Sequence, residues 1–117
     1  MNRPFCVNYE TPGTLAANDT FEFKMPVPAI LYRVSAVASN DSDATIMIGT
    51  AADTDAYMAA TTIGDSGVPN QLDRDDFIDD QYPHIPADTN VVITLDYDGA
   101  AGTAADDFEL LVTFLAD

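Results

Sequence analysis

The strongest constraint in this sequence is a period of two. Over residues 30–39 (ILYRVSAVAS), Ile30, Tyr32, Val34, Ala36 and Ala38 fall on one side, and Leu31, Arg33, Ser35, Val37 and Ser39 on the other. Residues 44–49 (ATIMIG) repeat the pattern, with Ala44, Ile46 and Ile48 against Thr45, Met47 and Gly49. Successive side chains of an extended strand point to opposite faces, so each run offers one apolar face. Asn40, Asp41, Ser42 and Asp43 separate the runs, and such side chains bond their own backbone in turns. The whole stretch reads as a β-hairpin leading into a polar loop, residues 50–57. Tyr32, Val34 and Ile46 are expected in the core.

The same alternation recurs elsewhere. Phe21, Phe23 and Met25 point one way and Glu22 and Lys24 the other, before Pro26 and Pro28 stop the ladder. Val91, Ile93, Leu95 and Tyr97 form the apolar side of a further strand. Phe108, Leu110, Val112 and Phe114 do the same for the last one. Residues 1–13 end in a Pro-Gly turn signal and read as an N-terminal arm or a first strand, ahead of a sandwich domain over 14–117. Residues 71–81 (QLDRDDFIDDQ) read as an acidic surface excursion anchored by Leu72, Phe77 and Ile78. Short strands, turns between them and no long amphipathic helix predict a single-domain, all-β antiparallel sandwich, jelly-roll-like, of about eight strands.

Charge excludes some partners. Twenty acidic residues face four basic ones, for a net charge of −16, and Lys24 is the single lysine. Phosphate recognition needs clustered Lys and Arg, so neither nucleic acid nor an anionic membrane is expected as a partner. Three readings of the acidity stay open: solubility in a crowded setting, complementarity to a basic surface, and adaptation to high salt. The N-terminal stretch MNRPFCVNYE lacks the apolar segment of a secretory signal, and no run approaches the roughly 20 apolar residues of a bilayer span. The chain is expected in the cytoplasm of the cell that makes it, unless it leaves on a particle. Cys6 is the single cysteine and has no partner for an internal disulfide.

No constellation makes a convincing enzyme. Residues 64–67 (GDSG) match the surroundings of a serine-protease nucleophile, but Val68 follows where that motif wants glycine. His84 is the only histidine and comes after the serine, against the order of that family. A transition-metal site is not expected with one His and one distant Cys. Calcium is carried by loops rich in carboxylates, and the best placed pairs are Asp53 with Asp55 and Asp96 with Asp98. Even these are weak, because the loop from Asp96 has Ala100 and Ala101 where an EF-hand wants a ligand and glycine. No cofactor is expected.

Residues 44–58 (ATIMIGTAADTDAYM) resemble a pattern in small jelly-roll proteins of tailed-phage virions, where a strand ending in an apolar-Gly-Thr step meets an Ala-Ala-Asp-x-Asp-Ala-Tyr loop. The upstream Phe-x-Phe run with Ile-Leu-Tyr-Arg-Val, and the closing strands at 91–95 and 108–114, resemble the same proteins. That resemblance implies a capsid decoration (cement) protein on the virion surface. It would bind the major capsid protein, clamp neighbouring capsomers and assemble with itself, commonly as a homotrimer. Arg3, Phe5, Val7 and Tyr9 are then the candidate capsid or subunit contacts. The alternative on the same fold is a fibre-head or receptor- or glycan-binding module, with recognition at Asp53, Asp55, Tyr57, Asp75 and Asp76.

Overall fold

The computed structural model describes residues 3–116. Nine strands lie in two antiparallel sheets: β1 (Arg3–Thr14), β2 (Asp19–Lys24), β3 (Ala29–Val37), β4 (Thr45–Gly49), β5 (Met58–Thr62), β6 (Asn70–Leu72), β7 (His84–Ile85), β8 (Asn90–Asp96) and β9 (Asp106–Ala116). One sheet runs β1-β9-β3-β6, with the short β7 also on β3, and the other runs β2-β8-β4-β5. The chain therefore crosses between sheets at every connection but β4–β5 and β6–β7, wrapping as a jelly roll does. Two 3₁₀ turns, Arg74–Asp76 and Ile78–Asp80, lie between β6 and β7.

The inner faces follow the alternation. Phe108, Leu110, Val112 and Phe114 of β9 are buried, as are Val91, Ile93 and Leu95 of β8 and Ala44, Ile46 and Ile48 on and beside β4. β2 lays Phe21 and Phe23 over this core, where Phe21 stacks with Tyr9 at 4.5 Å and Phe23 meets Phe114 edge-on at 5.4 Å. A 12-residue β1 pairs with β9 from Arg3 to Thr14, so residues 3–13 are an integral strand.

Two expectations are corrected. β3 and β4 are not a hairpin, because they belong to different sheets. The sequential hairpin is β4 with β5, which pairs Thr45 with Thr62. Residues 38–44 instead arch from sheet to sheet, and their polar side chains bond across to the β8–β9 connection. Asn40 Nδ2 donates to Ala104 O at 2.8 Å, and Asn40 Oδ1 accepts from the Asp106 amide at 2.9 Å. Ser42 Oγ donates to Thr103 O at 2.9 Å. Turn chemistry marks where a chain bends and carries no information on which sheet it joins next.

The second correction concerns the face of β3. A bulge between Leu31 and Arg33 inserts an extra residue opposite β9. Ala29 and Leu31 are buried before it, and Val34, Ala36 and Ala38 after it. Val34 and Ile46 are core residues as expected, but Tyr32 sits in the bulge, half-buried on the outside, with Arg33 over its ring.

Candidate interaction surface

The serine motif is a structural turn. Ser66 and Gly67 adopt left-handed backbone at φ 52° and 80°, and the Gly64 amide donates to Ala36 O at 2.9 Å. His84 pairs with Ile30 at the far end of the same strand. Seven or so residues of strand separate the two, about 20 Å, so they form no catalytic pair.

Several of the acidic side chains shape loops. Asp96 Oδ1 accepts from the Asp98 amide at 3.1 Å, while Asp98 is left-handed at φ 46°. Asp73 caps the first 3₁₀ turn, accepting from the Asp75 amide at 3.2 Å, and Asp76 returns the bond to the Asp73 amide at 3.1 Å. Asp75 makes an exposed pair with Arg74 at 3.8 Å. The Asp53 carboxyl is hydrogen-bonded to that of Asp55, which together with the neighbouring charge holds its pKa above the ordinary value. Among the described residues, no three His, Cys, Asp or Glu side chains converge as a metal site.

The stretch 49–57 has a backbone explanation. A Cβ on Gly49 would run into the carbonyl oxygen of Asp53 and come within 2.7 Å of the Ala56 amide. The loop folds flat onto the strand end: the Thr50 amide donates to Asp53 O at 2.8 Å, and the Tyr57 amide to Ile48 O at 2.9 Å. Asp53 and Asp55 are exposed at this loop and Tyr57 is half-buried, its pKa raised by burial. The Ile78 amide donates to Tyr57 O at 3.0 Å, which joins this loop to the acidic excursion. The fold thus brings together the segments carrying Asp53, Asp55, Tyr57, Asp75 and Asp76.

Arg3, Phe5, Val7 and Tyr9 divide by face. Phe5, Val7 and Tyr9 turn inward, and Phe5 stacks on Phe114 at 5.3 Å. Cys6, Asn8 and Glu10 point outward, and Arg3 is exposed near the end of the strand. β1 is the outermost strand of its sheet, so one side of its backbone ladder has no partner among the described residues.

The sequence reading missed the outer face of the β1-β9-β3-β6 sheet. Pairing places its side chains in rows: Cys6, Thr113 and Arg33; then Asn8, Leu111, Ser35 and Gln71; then Glu10, Glu109 and Val37. Leu111 is 41% exposed at the centre of the face. A shallow concavity of about 380 Å³ lies on one side of it, lined by Tyr32, Arg33, Gln71 and Thr113 among others. A second of about 260 Å³ lies on the other, toward Glu10, Val37 and Glu109. The legible signal was Leu111 itself, an apolar residue on the polar side of an alternating strand.

No protein-family model matches this chain, and no curated protein matches it significantly in sequence. Among solved structures, the chain is similar to a chain of the cyanophage Pam1 capsid asymmetric unit, with a TM-score of 0.59. The match covers 99% of this chain and 85% of that one at 18% sequence identity, a likeness of fold.

Proposed function

We propose that this chain is a structural virion component: a capsid decoration protein that sits on the outer shell, binds the major capsid protein and bridges capsomers. The observation that carries the reading is the likeness along 99% of the chain to a component of a cyanophage capsid. The mechanism is mechanical, by surface buried across joints in the shell, and it assigns no catalytic step. The unpartnered edge of β1 suits such a role, since an extended segment of a neighbour can add to it as a further strand. Arg3 and the exposed margins of Phe5, Val7 and Tyr9 then flank the added strand.

Quantitative mass spectrometry of purified particles tests this reading. A copy number comparable to that of the major shell protein supports it, and absence from the particle overturns it. A handful of copies per particle supports the second reading, a fibre-head or glycan-binding module. That reading is favoured by the bond from Ile78 to Tyr57, which joins two exposed acidic loops into one surface.

A further inference from the structure

Arg33 is exposed, yet in a chain with 20 acidic residues no carboxylate lies within 4.0 Å of it among the described residues. Its one neighbour of note is the Tyr32 ring, 5.3 Å below the guanidinium. Two rows away the opposite imbalance occurs. Glu10 and Glu109 sit directly across from each other on adjacent strands, both exposed, with no described cation within salt-bridge reach. Like charges in facing positions on one sheet face repel. Leu111 lies midway between them, two residues from Thr113 in the arginine row and two from Glu109, about 6–7 Å each way.

We infer that the outer face of the β1-β9-β3-β6 sheet docks onto the same face of a second copy of this chain, through a two-fold axis over Leu111. An axis perpendicular to the strands at that row exchanges the rows on either side of it. Each strand then lies over its own counterpart, so Arg33 of each copy sits over Val37 of the other and reaches Glu109 one strand, about 4.8 Å, to the side, and the two Leu111 side chains meet at the centre. The same contact relieves the unpaired cation and the facing carboxylates, and does so twice, as an isologous interface requires. A foreign partner would have to supply an acid at one end and a base at the other. A second copy has both at equal distance from the axis. The inference stands apart from the virion reading and replaces the threefold arrangement that the phage resemblance implies with a twofold one.

Analytical ultracentrifugation of the full chain, from about 1 to 100 μM in 0.15 M salt, tests it; that range spans weak to standard protein interfaces. The wild type is expected to reach the mass of a dimer. Arg33→Glu and Glu109→Arg, each confirmed as folded by circular dichroism, should each raise the dissociation constant by about tenfold or more. The double variant Arg33→Glu/Glu109→Arg should recover the dimer, an outcome that a merely damaged surface cannot produce. A wild type that stays monomeric or forms trimers overturns the inference. So does a dimer that neither charge variant weakens, or a double variant no better than the singles.

Discussion

The backbone amide of Ile78 donates to the carbonyl oxygen of Tyr57 at 3.0 Å, across 21 positions of sequence. This bond joins the loop after β4 to the acidic excursion after β6, and Phe77 beside it is buried as the excursion's anchor. Ile78→Pro removes that donor. Phe77 is already extended at φ −89° and ψ 167°, the conformation a residue before proline prefers. The variant should therefore lose about 1 kcal/mol, a typical net hydrogen bond, without new strain. Urea unfolding gives the loss. Hydrogen exchange should speed up in residues 50–57 and 73–81 and stay unchanged in β8 and β9.

Val34 and Ser35 are neighbours on β3 with opposite fates. Val34 is 1% exposed and pairs with Val112 and Leu72, whereas Ser35 looks outward beside Leu111. Val34→Asp buries an unpaired charge, a cost of several kcal/mol that rivals the whole stability of a small domain. It should abolish folding, while Ser35→Asp should fold with a melting temperature close to the wild type's. The reverse result would place the β3 bulge one residue away from where the pairing puts it.

Gly49→Ala tests whether the loop over residues 50–57 packs backbone on backbone against the end of β4. The added methyl meets main-chain atoms of Asp53 to Ala56, which cannot rotate aside as a side chain would. The expected loss is about 2 kcal/mol, within the range for overpacking. It is read by thermal or urea melts, together with displaced amide resonances across residues 50–57. A stability equal to the wild type's would show that the loop lifts off the strand at no cost.

The Asp53 carboxyl is held above its ordinary range chiefly by its hydrogen bond to Asp55, with desolvation and the neighbouring charge acting in the same direction. A raised pKa means that the folded state holds this proton more tightly than the unfolded chain does. The stabilisation is full below the ordinary aspartate value near 3.9 and is lost as pH rises through the raised one. Asp53→Asn keeps a hydrogen-bonding group and removes the titration. Its stability relative to wild type should therefore improve as pH rises from about 3 to 6. A difference in urea midpoint that is flat across that window would contradict the shift.

A proline scan along β1 distinguishes the two sides of its backbone. Successive amides of a strand point alternately to either neighbour, and here β9 takes one set while the other faces outward. Single substitutions at Cys6, Val7 and Asn8 should alternate between clearly destabilised and near-normal melting. The tolerated positions then report on attachment, because they block the free edge and leave the fold intact. Normal incorporation of those variants into particles would remove the added-strand mechanism and leave the core pairing untouched.

The strands were legible because burial of one face imposes a period of two on the text, and it did so plainly in β2, β4, β8 and β9. The acidic excursion was legible as a surface feature, although its aspartates serve as caps as well as charges. The bulge at Tyr32 was not legible, since ILYRVSAV keeps an unbroken period of two through that residue until β9 is laid beside it. The face around Leu111 stayed hidden for a related reason. Its rows draw Arg33, Glu10 and Glu109 from three strands, two of them about a hundred residues apart in sequence.

What the sequence determined by itself is the local physics: extended runs with one apolar face, the places where the chain turns, and a net charge of −16. What only the tertiary structure decided is which runs are neighbours. Residues 40–43 specify a bend equally well for a hairpin and for an arch. Their side chains choose the arch because Thr103, Ala104 and Asp106, more than 60 positions away, supply the hydrogen-bond partners. In a jelly roll most pairing is between strands remote in sequence, so its neighbours are fixed by the joint burial of two sheet faces and not by any local signal.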